Sequence, residues 1–284
     1  FTNSTISALK PYLDGPCVNN SLFLSQPAVR LRNLDYWNVR GKMSPFGCSF
    51  VAMGTLMPAS SIGQALDDLI VFLSRHVGLY EQRLQLGVYR EHLDLLSLVS
   101  ASGMRVVAGE AQEDYLYRYG MPDISGRSIK ITASEPNGGV TEVAAVVEVA
   151  RLGAPIAVET AFSVNILLTS RESLIHPVLA SVGALGADEG VDTLIALDCL
   201  GTAVSLLAEG LLPTARGRGG RLRQLLRTAV KASPVLDWPS VITRLADAET
   251  SVRSNLSPPD RSLFEDLSAS DTAARFGAAL ARVG

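Results

Sequence analysis

The chain has 284 residues, 47% of them hydrophobic and 19% charged, with a formal net charge of -3, a balance that suits a soluble globular protein of one large or two ordinary domains. That charge demands neither nucleic acid nor a membrane as partner, and the longest apolar stretches are broken by charge or glycine before reaching membrane-spanning length. The three cysteines, Cys17, Cys48 and Cys199, lie far apart without C-x-x-C spacing, which points away from a disulfide framework or zinc site and toward a reducing, cytoplasmic setting.

Residues 22–57 read as two apolar runs around a polar, turn-rich connector, the pattern of a long β-hairpin. Arg30 and Arg32 interrupt the first run; residues two apart share a face, so the pair either converges on an anionic ligand or is solvated on an open sheet face. Ser60 and Ser61 are N-cap residue types for a helix to about His76, with Ile62, Leu66, Leu69, Ile70 and Leu73 at helical spacing. A strand over 83–89, a helix over 91–101 with His92 in a surface or cap role, and a strand over 104–107 follow. Such a mixture of strands and helices implies an α+β fold. Tyr115, Tyr117 and Tyr119 alternate, as half-buried rings on one face of a strand do. The run 143–149 reads as a buried central strand.

From Asp192 the pattern turns helical. A helix over 221–231 carries Arg216, Arg218, Arg221, Arg223, Arg227 and Lys231 on and just before it, a basic cluster that either neutralises phosphates or is a solvated helix face. Further helices over 261–267 and 271–283 close the chain, which shows no repeat, low-complexity segment or signal peptide.

Several of these stretches, taken in order, resemble the catalytic domain of alanyl-tRNA synthetase, a class II aminoacyl-tRNA synthetase. They are Phe1-Thr2-Asn3 with Lys10, Ser25-Gln26 with Arg30, Asn38-Val39, then Phe50 and Gly54. Val158-Glu159-Thr160-Ala161-Phe162-Ser163-Val164-Asn165-Ile166 is similar to the family's V-D-T-G-M-G-L-E-R. The densest match holds Asp198, Gly210, Pro213, Arg218, Gly219, Leu222, Arg223, Arg227, Ala229 and Val230 in register without gaps.

The resemblance implies a class II synthetase-type antiparallel sheet flanked by helices over 1–171, truncated upstream, and an all-helical, tRNA-binding-like domain over 172–284. It gives Arg30 the role of binding the α-phosphate of ATP and the amino-acid carboxylate, and Glu159 that of binding the amino group. Tyr117 falls beside the amino-acid pocket, as a wall of it or as a packing ring. Arg216, Arg218, Arg221, Arg223 and Arg227 face tRNA, and ATP with magnesium is the implied cofactor.

Departures accompany it. Ile166 stands where the family has the arginine that neutralises the γ-phosphate, Val51 where it has a glutamate, and Cys199, Gly201 and Ala215 where it has polar tRNA-domain residues. Two functions follow: ATP-dependent activation of an amino acid, alanine in the family, with transfer to tRNA or another acceptor; or a synthetase-derived binding or regulatory protein without that chemistry. An amide-forming enzyme of specialised metabolism keeps the same amino-acid pocket and differs in the acceptor.

Overall fold

The computed structural model describes residues 4–15, 17–31, 34, 47–135, 138–172, 190–232 and 238–254. The motif at Phe1-Thr2-Asn3, Arg32, Asn38-Val39 and the two C-terminal helices expected from sequence lie outside the described residues. The chain forms two compact units, Phe1–Val29 with Phe50–Ile175, and Arg30–Ser49 with His176–Gly284.

The first unit is α+β. Its strands are β1 (Leu22–Val29), β2 (Ser49–Met57), β3 (Leu84–Tyr89), β4 (Arg105–Gly109), β5 (Leu116–Arg118), β6 (Ile124–Ser134), β7 (Val140–Arg151) and β8 (Ala154–Ser163). Among the described residues they make one open sheet in the order β1-β2-β8-β7-β6-β3-β4, with β5 paired to β6 off that path. The pairs β2/β8, β7/β8, β6/β7, β3/β6 and β5/β6 are antiparallel, whereas β3/β4 is parallel. The sheet is therefore mixed rather than purely antiparallel. A helix, α3 (Leu93–Ala101), connects β3 to β4, and a parallel neighbour requires such a crossover.

Position in the sheet explains the strand sequences. β7 lies between β6 and β8, and Val143 to Val147 are all buried, as expected of a strand covered on both faces. β3 is buried at every position, so its alternating sequence does not separate a wet from a dry face. β1 sits at the end of the order, where Pro27 leaves no ladder bond unmade on the outer side.

One face of the sheet is covered by α1 (Thr5–Leu9) and the 3-10 turn Lys10–Leu13. Ile6, Leu9 and Leu13 pack there with Leu56, Val147, Val149, Ala157 and Tyr119. A second helix, α2 (Ile62–Val71), packs on β7 and β8 and buries Ala65, Leu66, Leu69 and Ile70. It runs on into the π turn Phe72–Val77 and stops at Gly78, whose φ of 84° suits glycine at a helix C-terminus. After β8 the chain continues directly into α4 (Val164–Glu172).

The β7–β8 turn holds a strained residue. Leu152 has φ 49°, is 86% exposed, and donates its N–H to the Asp123 carbonyl at 2.8 Å. A leucine gains nothing from solvent there and carries the left-handed penalty of about 1 kcal/mol or more. Leu152→Asn is expected to raise stability by roughly 1 kcal/mol in urea unfolding; an unchanged midpoint would show that the turn is unstrained.

The described part of the second unit is helical: α5 (Val191–Ala208), α6 (Gly217–Ala232) and α7 (Trp238–Ser254). α5 packs against both others. Among the described residues it is the helix long and apolar enough to cross a membrane, despite Asp192, Asp198 and Gly201, which corrects the expectation that charge and glycine break every apolar stretch short of that length; 67% of it is buried inside the protein, which is the position of a core helix. Its buried Asp198 accepts the Cys48 backbone N–H with both oxygens, at 2.9 and 3.0 Å, fastening the backbone at Cys48 to the helix. Burial, with Asp198 adding to it, pushes the Cys48 and Cys199 thiols well up, so both stay protonated and unreactive.

Candidate functional site

Residue 159 sits in the middle of β8, opposite Leu56 of β2 and Val147 of β7. Strand alternation puts Ala157, Glu159 and Ala161 on the same side, and Ala157, Leu56 and Val147 belong to the apolar cluster beneath α1. A carboxyl group is thus carried into a hydrocarbon setting, where Glu159 is only 3% exposed. Two hydroxyls meet it. Thr5 Oγ1 donates to Oε1 at 2.8 Å, and Tyr119 OH donates to Oε2 at 3.1 Å. Among the described residues no cation pairs with Glu159.

Glycines make the geometry possible. A Cβ at Gly54 would drive into the backbone carbonyl of Thr160 and lie 3.3 Å from the Thr5 methyl, so the bare backbone of β2 lets α1 approach. A Cβ at Gly126 would stand 2.9 Å from the Tyr119 hydroxyl. Tyr119 itself precedes Gly120, whose φ of 70° turns the chain between β5 and β6.

Burial raises the Glu159 carboxyl to about 7, and the two hydroxyls pull back against that rise without cancelling it. The Tyr119 phenol is pushed well up, first by burial and then by the adjacent carboxylate. Near neutral pH the carboxyl exchanges a proton readily, and once charged it is a buried anion that a cationic group can neutralise.

The residues expected from sequence are distributed as follows. Glu159 is the centre of this cluster. Tyr117 is half-buried at the margin of the same core, opposite Gly126, but Tyr119 is the tyrosine that bonds the carboxyl. Tyr115 does not share the strand: it ends the 3-10 turn Gln112–Tyr115, and its ring covers Gly87 and Gly109. The three tyrosines therefore do not form one face, which corrects the alternating-strand expectation. His92 takes the N-cap position of α3, one of its two expected roles, without a side-chain cap bond; it is 7% exposed and edge-on to Tyr89 at 5.1 Å rather than on the surface. Burial, then the nearby Arg127, holds its imidazole below the ordinary range.

Arg30 belongs to the second unit, is half-buried, and donates its backbone N–H to the Cys48 carbonyl at 2.7 Å. Ile166 is 1% exposed in α4, so this position is aliphatic packing. Val51 offers its backbone N–H to Asn165 Oδ1 at 3.0 Å. Leu222, Leu225, Leu226 and Ala229 form the buried side of α6. Arg223, Arg227 and Lys231 follow at intervals of four on another side, and Arg216, Arg218, Arg221, Arg227 and Lys231 are exposed. Arg223 is half-buried with its Nε unbonded. Arg221 bonds Gln224 at 3.0 Å, and no described acid pairs with these cations.

No protein-family model matches the chain, and no curated protein matches it. The site accordingly rests on its own chemistry. Nothing in the sequence marks Thr5 as a partner of the carboxyl, and Tyr119 is marked only by its place in the tyrosine-rich stretch.

Proposed function

We propose that the first unit binds a small primary amine, an amino acid in the first instance, with its ammonium on Glu159, and that its sheet is of the class II synthetase type, in a divergent relative of alanyl-tRNA synthetase. The observation that carries this reading is the Glu159 carboxyl, buried in an apolar cluster, met by two hydroxyls and by no described cation. A buried carboxylate without a counter-charge is unfavourable unless a ligand supplies one, and a ligand ammonium does. Also in support, the two stretches resembling the hairpin and Glu159 motifs are hydrogen-bonded neighbours, β2 and β8.

Isothermal calorimetry with alanine and a panel of other amino acids tests the reading. Glu159→Ala is expected to weaken binding at least tenfold; equal affinity in the variant would refute the assigned role.

ATP with magnesium fits the described residues poorly. Ile166 is sealed in packing where the resemblance calls for the arginine that neutralises the γ-phosphate. This favours a second reading, in which the chain binds its amine as a regulatory or carrier protein without adenylation. ATP-pyrophosphate exchange separates the two: exchange lost in Arg30→Ala supports an enzyme, and its absence across the panel supports the binding protein. An amide-forming enzyme would share the exchange and differ only in the acceptor.

The basic side of α6 is the proposed contact for tRNA or another polyanionic acceptor. Its affinity for RNA is expected to fall with salt, and Arg223→Ala plus Arg227→Ala to flatten the log-log slope by roughly 1.5. Binding indifferent to salt would return this surface to the role of a solvated helix side.

A further inference from the structure

The two partners of Glu159 are both hydroxyls, one on each carboxyl oxygen. A hydroxyl rotates to donate or accept, so it can satisfy a carboxylate by donating and a neutral carboxyl by accepting its proton. A lysine, an arginine or a backbone N–H would fix the charged form instead. Both hydrogen bonds thus persist in either protonation state, in an apolar cluster that favours the neutral one.

The other ionisable groups around the site leave this balance intact. Tyr119, just after β5, is the titratable group bonded to the carboxyl, and Tyr117 of β5 lies at the margin of the same cluster. From the α1 side comes Lys10, whose Nζ lies 3.7 Å from a Cβ position on Gly120. β1, β2 and β8 contribute no ionisable side chain besides Glu159 itself. On β7, Glu148 is bound to Arg127 and Glu142 to Lys130, while Arg151 pairs with Asp123.

Resting on the amine-binding reading, we propose that Glu159 is a proton-exchange site: without ligand its carboxyl holds a proton on one oxygen, donated to the hydroxyl bonded there while the other hydroxyl donates to the second oxygen, and an incoming primary ammonium expels that proton. The step balances as R-NH3+ plus Glu-COOH giving the R-NH3+ carboxylate pair plus one proton released to water. Amine capture is then regulated by pH through the group that recognises the amine. The carboxyl's rise to about 7 places the exchange near neutrality, so affinity should be about 30-fold weaker at pH 5.5 than at pH 8.

Two measurements test this. Carbon-13 NMR of glutamate-labelled protein, with the resonance assigned by its loss in Glu159→Gln, is expected to show a midpoint near 7 that moves up in Tyr119→Phe, because a donor to the charged form is lost. A midpoint below 5, or one unmoved by Tyr119→Phe and by Thr5→Val, overturns the proposal. Calorimetry with alanine at pH 6.5, in buffers of different ionisation heat, is expected to report about 0.8 proton released per alanine bound, falling toward zero at pH 8.5. Binding without proton release overturns the exchange. Failure of alanine to bind at every pH sinks the amino-acid reading and the exchange step, while the carbon-13 midpoint still decides whether Glu159 stores a proton.

Discussion

Raising the pH from about 4.5 to about 8 is expected to lower the stability of the folded chain by roughly 3 kcal/mol through Glu159 alone. Its carboxyl moves from an ordinary 4.5 to about 7 on burial. Between those values the folded chain keeps a proton that the unfolded chain has lost, so folding takes up a proton and stability declines as pH rises. Below 4.5 both forms are protonated, above 7 both are charged, and the contribution is flat at each end. Other carboxylates slope the opposite way: Asp94, held down chiefly by its hydrogen bond to Arg127, loses stabilisation as pH falls. The clean observable is therefore the difference in urea-unfolding free energy between wild type and Glu159→Gln as a function of pH. An amide keeps the shape and can bond both hydroxyls, yet does not titrate. A pH-independent difference would mean that the buried carboxyl ionises normally.

Gly54→Ala is expected to cost roughly 3 kcal/mol, the upper end of what overpacking does, because the obstacle is the Thr160 backbone carbonyl rather than a side chain that can swing away. Relief requires β2 and β8 to part beside Glu159, so binding at the carboxyl should fall along with the unfolding midpoint. Gly78→Ala provides the contrast. Its Cβ would meet nothing, but φ is 84°, so backbone strain of about 1 to 2 kcal/mol is its whole effect. If Gly78→Ala proved the more damaging, the close approach at Gly54 would not be governing the site.

Local periodicity made the secondary structure legible where one element decides it. The apolar run of β7 marked a central strand, and the leucines of α6 marked a helix with a basic side. The same signal is present in α7, where Val241, Ile242, Leu245 and Ala246 are buried at helical spacing. What depends on distant partners was not legible. The parallel return of β4 follows from where α3 packs, and the loss of tyrosine alternation follows from a 3-10 turn that Tyr115 ends. Glu159 stood out through resemblance, but its environment is set by Thr5, 154 residues away, and by Tyr119, 40 residues away. Spacing along the chain cannot reveal contacts of that range.

The bond between Cys48 and Asp198 has a consequence for how the protein is made. Its partners are 150 residues apart. At ribosomal speeds of roughly 5–20 residues per second, the Arg30–Ser49 segment leaves the exit tunnel about 8–30 s before the helix that receives it. For that interval the Cys48 backbone N–H lacks the carboxylate that receives it in the finished fold. Slowing translation ahead of α5 lengthens that wait without altering a residue.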